Sequence, residues 1–371
     1  MGNNENSDSF GLIVLNNFAK RGKEVNDYIA EFMGEEGKNY IINISNPRFS
    51  NGESKVKINE TVRGKDIFII SDVGNYSLTY KMYGKESNIG PDEHFQDIIR
   101  TVSAISGKAK RITVIMPLLY ASRQHRREGR ESLDCALSLR YLESLGVSNI
   151  ITFDAHDPNI QNSVPVGSFD TIFPIYSILK KFIANEHREI GKDKMVVISP
   201  DAGAIGRATS YASMLGLELG LFYKRRDYTR IVDGKNPILK HDYIGPDVEG
   251  KNILIIDDMI SSGDSVLDII SKLKERGCKN AYVISTFAFF TEGLGKFQKL
   301  YEEGVLTKVY STNASYLSDQ LLNSPWFSAV PLTKFLAKII KHIHHDESLG
   351  ILINSTDKIK QLLLENKNKL K

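Results

Sequence analysis

The residues Asn252 to Ser265, NILIIDDMISSGDS, place two carboxylates, Asp257 and Asp258, at the end of a strand-like apolar run. A small, hydroxyl-rich turn follows: Ser261, Ser262, Gly263, Asp264, Ser265. Free backbone N–H groups in such a turn, and at the helix start after it, are donors suited to a phosphate. The serine hydroxyls add donors, and Gly263 permits a backbone conformation that larger residues resist. Adjacent carboxylates are acceptors with the reach for two neighbouring hydroxyls, such as the 2′ and 3′ hydroxyls of a ribose. A phosphate cradle beside a diol clamp is the chemistry of a sugar-phosphate site, for ribose 5-phosphate or a derivative. The plainer alternative is a helix cap with incidental acids; nine positions in order after a strand favour the site.

Other chemistry-bearing stretches are spread along the chain. They are PRFSNGE (47–53), INETVRGKD (58–66), YASRQHRR (120–127), ITFDAHD (151–157), SPDAGA (199–204) and KRR (224–226). In this set and order, over roughly residues 11–352, the chain resembles the ribose-phosphate diphosphokinases (PRPP synthetases), which have the phosphoribosyltransferase-like fold. The resemblance implies transfer of the diphosphoryl group of ATP to C1 of ribose 5-phosphate, giving PRPP and AMP. It assigns Lys224 and Arg226 as catalytic cations, and Mg²⁺ as cofactor with His156 and Asp201 as metal-linked residues. It assigns the ATP base to Phe49, Asn51, Glu53, Arg123 and Gln124. The ribose 5-phosphate site becomes Asp257 and Asp258 with Ser261, Ser262, Gly263, Asp264 and Ser265. In this family the 49–53 loop comes from a neighbouring subunit. A homo-oligomer is therefore expected, built from dimers, with a hexamer as one outcome.

Phosphoryl chemistry relies on in-line positioning and on neutralising charge, which the two cations would supply. The aperiodic stretch after them could then close as a lid. Mg²⁺ prefers oxygen and keeps much of its water, so His156 would be a weak or water-mediated partner. Three positions depart from the family pattern: Asn51 and His125 stand where aspartates are usual, and Asp264 where a negative charge is unusual. A carboxylate there repels a phosphate unless it points away. Two rival readings remain, a phosphoribosyltransferase that consumes PRPP and a non-catalytic regulatory homologue.

The elements that must position these residues are legible as periodicity. Short continuous apolar runs recur at 11–15, 40–44, 66–71, 111–116, 149–154, 195–201, 217–223, 252–258 and 281–287. Helical spacing is read at 93–107, 132–145, 204–215 and 265–277. Continuous apolar strands alternating with helices predict an α/β protein whose sheets are mainly parallel and covered on both faces. We expect two phosphoribosyltransferase-like domains, 1–172 and 173–352, and a Lys-rich peripheral helical tail, 353–371. The boundary is placed in the Pro/Gly/Ser stretch 163–174. Residues 75–91 form a long polar insertion with three tyrosines, and the histidines near 342–345 read as imidazoles at a helix end.

Forty-eight basic and 45 acidic residues leave a formal net charge of +3, too small to suggest nonspecific nucleic-acid binding. No apolar run approaches the ~18 residues of a membrane span. The start lacks the basic and apolar regions of a signal peptide. Two cysteines give no disulfide framework. A cytoplasmic enzyme is the expectation, with ATP and ribose 5-phosphate as partners and neither nucleic acid nor membrane.

Overall fold

The structure, a computed structural model, describes residues 9–127, 129–226 and 238–368. The chain forms two compact units. The first comprises Met1–Pro174, Asn313–Tyr316 and Pro331–Ile353; the second comprises Ile175–Thr312, Leu317–Val330 and Asn354–Lys371.

In the first unit the order is β1 (Phe10–Val14), α1 (Ala19–Met33), β2 (Ile44–Ser45), β3 (Lys57–Ile58), β4 (Asp66–Ile70), β5 (Thr79–Met82), β6 (Lys85–Asn88), α2 (Pro91–Ile105), β7 (Arg111–Ile115), α3 (Asp134–Ser144), β8 (Asn149–Phe153) and β9 (Ser168–Ile172). Strands β1, β4, β7, β8 and β9 form a parallel sheet in that order. Its central strands are buried on both faces, which is why they read as unbroken apolar runs. Helix α2 starts at Pro91, a residue preorganised for a first helical turn. Glu93 reaches back to accept the Gly90 N–H at 2.9 Å. Its face of Phe95, Ile98, Ile99, Val102 and Ile105 is buried in the sheet's core.

The second unit contains α4 (Ile175–Glu186), β10 (Met195–Ser199), α5 (Ile205–Leu215), β11 (Glu218–Arg226), β12 (Ile238–Ile244), β13 (Asn252–Ile260), α6 (Asp264–Glu275), β14 (Ala281–Ala288), α7 (Gly295–Glu302), β15 (Lys308–Thr312), α8 (Asp319–Leu322) and β16 (Phe327–Val330). Its seven-stranded sheet runs β12-β11-β10-β13-β14-β15-β16. All pairings are parallel except β11 with β12. Alternate residues of β13 enter two separate cores: Ile253 and Ile255 join α6, α7 and Trp326, whereas Leu254 and Ile256 join α4 and α5.

The chain then returns to the first unit as α9 (Thr333–His344) and α10 (Gly350–Ile353), and closes in the second as α11 (Thr356–Asn368). This differs from the expected span 173–352. Helix α9 packs on α1, with Lys334 3.2 Å from Glu31 and Phe335 stacked 6.1 Å from Phe153, so 331–353 joins the first unit. The expected peripheral tail is also docked: α11 packs on α4 and α5 and buries Ile359 completely. The expected boundary stretch 163–174 holds edge strand β9, paired with β8, and the first unit's opening segment ends at its last residue, Pro174. The insertion 75–91 is a β5–β6 hairpin. Its two-residue turn, Tyr83 (φ 47°) and Gly84 (φ 77°), has the positive dihedrals of a type I′ hairpin.

Candidate active site

Strands β11, β10 and β13 are adjacent and parallel, in register at Ser199↔Leu221 and Ile198↔Ile255. Three motifs therefore leave the sheet at one edge: Ser199 to Ala204, Lys224 to Arg226, and Asp257 to Ser265. Open parallel sheets bind ligands beyond this carboxyl edge.

Within β13, Asp258 is buried and Asp257 half-buried. The Asp257 Oδ1 accepts the Asp258 N–H at 2.9 Å. Burial, and then the neighbouring Asp258 charge, raise the Asp257 carboxyl well above the usual carboxylate value; the Arg207 cation opposes them. Asp257 is thus the more accessible acceptor of the pair.

The turn after β13 is held from the adjoining strand. The Phe289 N–H donates to Ile260 O at 2.8 Å and the Thr291 N–H to Ser261 O at 2.9 Å. Gly263 has φ +87°, and a Cβ there would lie 2.3 Å from the Phe297 ring, so glycine is required twice over. Helix α6 begins at the next residue, where the Asp264 N–H donates to Ser262 Oγ at 3.4 Å; the N–H groups of a helix's first turn have no acceptor within the helix. The Asp264 carboxylate is 2.6 Å from Lys296, which also meets Glu292 at 2.7 Å. The hydrogen bond that it accepts from Lys296, followed by the one from Ser262, holds the Asp264 carboxyl below its usual value. The unusual acid is compensated by a lysine of α7.

Asp201 Oδ1 accepts the N–H groups of Gly203 (2.9 Å) and Ala204 (3.1 Å), and Ser199 Oγ donates to Asp201 O at 2.8 Å. Asp201 thus shapes the turn entering α5. Lys224 pairs with His241 in the β11–β12 ladder, whose register shifts between Arg225 and Arg226. The side chains of Lys224 and Arg226 lie outside what the structure describes, as do residues 227–237; the rest of the stretch to 245, expected as an aperiodic lid, holds strand β12, paired antiparallel with β11.

In the first unit, β7 and β8 run parallel and end side by side. The turn after β7 exposes Arg123 and Gln124, and the bend after β8 exposes His156. The His125 ring lies 5.4 Å from that of His156 and its Nε2 3.4 Å from Asp157. Among the described residues no three His, Cys, Asp or Glu side chains form a ready metal cage.

The 49–53 loop is a closed turn: the Phe49 N–H donates to Glu53 O (2.8 Å) and the Gly52 N–H to Phe49 O (2.9 Å). Asn51 Nδ2 donates to Glu53 Oε2 at 2.9 Å, which an aspartate at that position could not do while ionised. Phe49 stands 44% exposed, with Lys55 Nζ 5.8 Å over its ring. At the loop's base, Arg48 reaches Asp97 (2.7 Å) and Glu93 (3.4 Å) on α2. The same helix supports the 120–124 turn, through Tyr120 to Asp92 (2.8 Å) and Tyr120 stacked on Phe95 at 4.3 Å. Sequence reasoning missed Arg48, Lys296 and the place of His125. The Arg48 contact to Asp97, the Lys296 contact to Asp264 and the His125 contacts to His156 and Asp157 each span tens of residues, which no local spacing signals.

Residues 15–146 match the N-terminal domain of ribose phosphate pyrophosphokinase, and residues 166–311 the phosphoribosyl transferase domain. The chain is 31% identical over 314 residues to a ribose-phosphate pyrophosphokinase of Vibrio parahaemolyticus, covering 83% of this chain and 90% of the relative. To ribose-phosphate pyrophosphokinase 2 of Schizosaccharomyces pombe it is 29% identical, covering 83% and 88%. Among solved structures, the phosphoribosylpyrophosphate synthetase of Mycobacterium smegmatis superposes with a TM-score of 0.73 at 22% identity. That match covers 91% of this chain and 99% of the other, and it is a likeness of fold.

Proposed function

Because this chain belongs to the ribose-phosphate pyrophosphokinase family, we propose that its C-terminal sheet edge binds ribose 5-phosphate for diphosphoryl transfer from ATP. The matches do not favour the PRPP-consuming transferase or the regulatory homologue. The observation that carries the site is the Gly263 turn at the start of α6, one strand end from the half-buried Asp257. Ser261, Ser262, Gly263, Asp264 and Ser265 hold the 5′-phosphate through backbone N–H groups and hydroxyls. Asp257, supported by Asp258, accepts from the ribose hydroxyls and fixes the ring.

The C1 hydroxyl oxygen then bonds to the β-phosphorus of ATP as the bond from that phosphorus to the α–β bridging oxygen breaks. AMP leaves with the electron pair, and the hydroxyl proton passes to solvent. Lys224 and Arg226 neutralise the charge on the transferring group. Mg²⁺, held through His156 and Asp201, would neutralise and align phosphate oxygens. Phe49, Asn51, Glu53, Arg123 and Gln124 hold the base, with the 49–53 loop serving a neighbouring subunit of a dimer-based oligomer. No described helix is long and apolar enough to cross a membrane. Both free, buried cysteines suit a reducing cytoplasm.

The test is direct. Purified protein with ribose 5-phosphate, ATP and Mg²⁺ should release AMP and PRPP in equal amounts, and chelation should stop it. Lys224→Ala should lower kcat on the order of 10³-fold. Wild-type protein that makes no AMP above background with several triphosphates would sink the proposal.

A further inference from the structure

The β5–β6 hairpin adds little to the core of its unit, for its residues are exposed or half-buried throughout. What it does contact is the 49–53 loop. The Tyr83 N–H, at the hairpin's turn, donates to Ser50 O at 2.8 Å. Gly52, at φ +93°, lies under the hairpin: a Cβ there would sit 3.1 Å from Met82 Sδ and 3.5 Å from the Tyr80 hydroxyl. The Arg48 guanidinium lies 5.5 Å over the Tyr80 ring, and the Tyr80 hydroxyl donates to Glu93 Oε1 at 3.1 Å. That same oxygen accepts from Arg48 at 3.4 Å. Loop base, hairpin and α2 are thereby closed into one three-cornered link. The hairpin's own geometry is fixed too, by its type I′ turn, by Thr79 Oγ1 to Glu86 (2.8 Å), and by the Ile89 N–H to Leu78 O (2.9 Å) at its mouth. The Tyr83 side chain is 78% exposed. What position 83 supplies to the loop is its backbone N–H.

We propose that this hairpin is a positioning element for the nucleotide loop, holding the backbone of residues 50–52 so that Phe49 and Glu53 meet the base of ATP already ordered. The inference rests on the reading of residues 49–53 as the nucleotide loop. An exposed loop left unsupported loses conformational entropy when its ligand orders it; a braced loop has lost that freedom on folding. The effect therefore falls on ATP affinity, and not on the chemical step or on ribose 5-phosphate.

The Leu78–Ile89 pairing allows a clean deletion, with residues 79–88 replaced by Asn-Gly. In the full-length enzyme, KM for ATP should rise about tenfold, with kcat at saturating ATP and KM for ribose 5-phosphate within twofold of wild type. Should the shortened chain fail to fold, Tyr80→Ala decides: a rise of about threefold or more in KM for ATP is expected, with partial rescue in Tyr80→Phe, which keeps the ring beneath Arg48. An unchanged KM for ATP in a folded variant overturns the inference. So does a fall in kcat, or an equal rise in both KM values, since each marks a merely structural role. Failure of the functional proposal itself would appear earlier, as wild-type protein that makes no AMP.

Discussion

Asp257 serves two opposed demands. Its site places a carboxylate where ribose hydroxyls would bind, while burial and the adjacent Asp258 disfavour its charge. A carboxyl raised in the folded state stabilises the fold most when protonated, below its ordinary value of 3.8, and that contribution is lost as pH rises through the raised value. Asp257→Asn removes the penalty and keeps the shape. At pH 8 the variant should melt about 2 °C higher than wild type, with the difference vanishing towards pH 4. Its KM for ribose 5-phosphate should rise about tenfold or more, since an amide is a poorer acceptor than a carboxylate. Calorimetry showing an unchanged or lower melting temperature at pH 8 would contradict this account of the pair. The strand end, acid pair and glycine turn were legible because they are local and follow one another in the chain. The compensation of Asp264 was not, because Lys296 lies on a different helix, placed by the packing of Phe297 against Gly263, Phe290 and Trp326.

Among the elements, α9 shows how a helix is fastened to a sheet. Asp66, at the start of β4, takes two hydrogen bonds from Arg111 of β7, one to each oxygen, and lies 2.9 Å from His344 Nδ1 at the end of α9. Arg111 also donates to the Ile343 carbonyl at 2.8 Å and pairs with Asp346. Burial raises the Asp66 carboxyl, but the hydrogen bonds from Arg111 and His344 outweigh it and hold it below its ordinary 3.8. The sign follows: this stabilisation is present above that value and is lost as pH falls through the depressed one. Asp66→Asn should destabilise the first unit by about 3 kcal/mol near pH 7, and the gap to wild type should narrow below pH 3. Melting curves that differ equally at both pH values would argue for a packing defect instead. Sequence periodicity placed α2, α3, α5 and α6 within about two residues, since each has one buried stripe. It did not show the β5–β6 hairpin: β5 alternates over only four residues, with Tyr80 and Met82 half-buried, and β6 is polar throughout. Strand β9 was hidden in a Pro/Gly/Ser-rich stretch because an edge strand needs fewer apolar residues.

For the whole molecule, the α/β class and the parallel sheets followed from continuous apolar runs, and the first cut falls at Pro174, the end of the expected boundary stretch, whereas the return of Pro331–Ile353 to the first unit did not follow. No local pattern tells α9 that its partner is α1, some three hundred residues earlier; only the match of two amphipathic surfaces does. The proposed subunit-shared nucleotide site makes a prediction at this scale. Specific activity should fall on dilution as the oligomer dissociates. Phe49→Ala and Lys224→Ala variants, each weak alone, should recover activity when mixed under conditions of subunit exchange. Mixed oligomers without recovery would confine each loop to its own subunit.

The return of Pro331–Ile353 to the first unit has a consequence on the ribosome. By the time Pro174 emerges from the exit tunnel, the five-stranded sheet is complete but α1 still lacks the helix that covers it. At ordinary elongation rates that cover arrives roughly 10–30 s later. For that interval the nascent chain displays an uncapped apolar flank, a natural landing place for chaperones while the rest is translated.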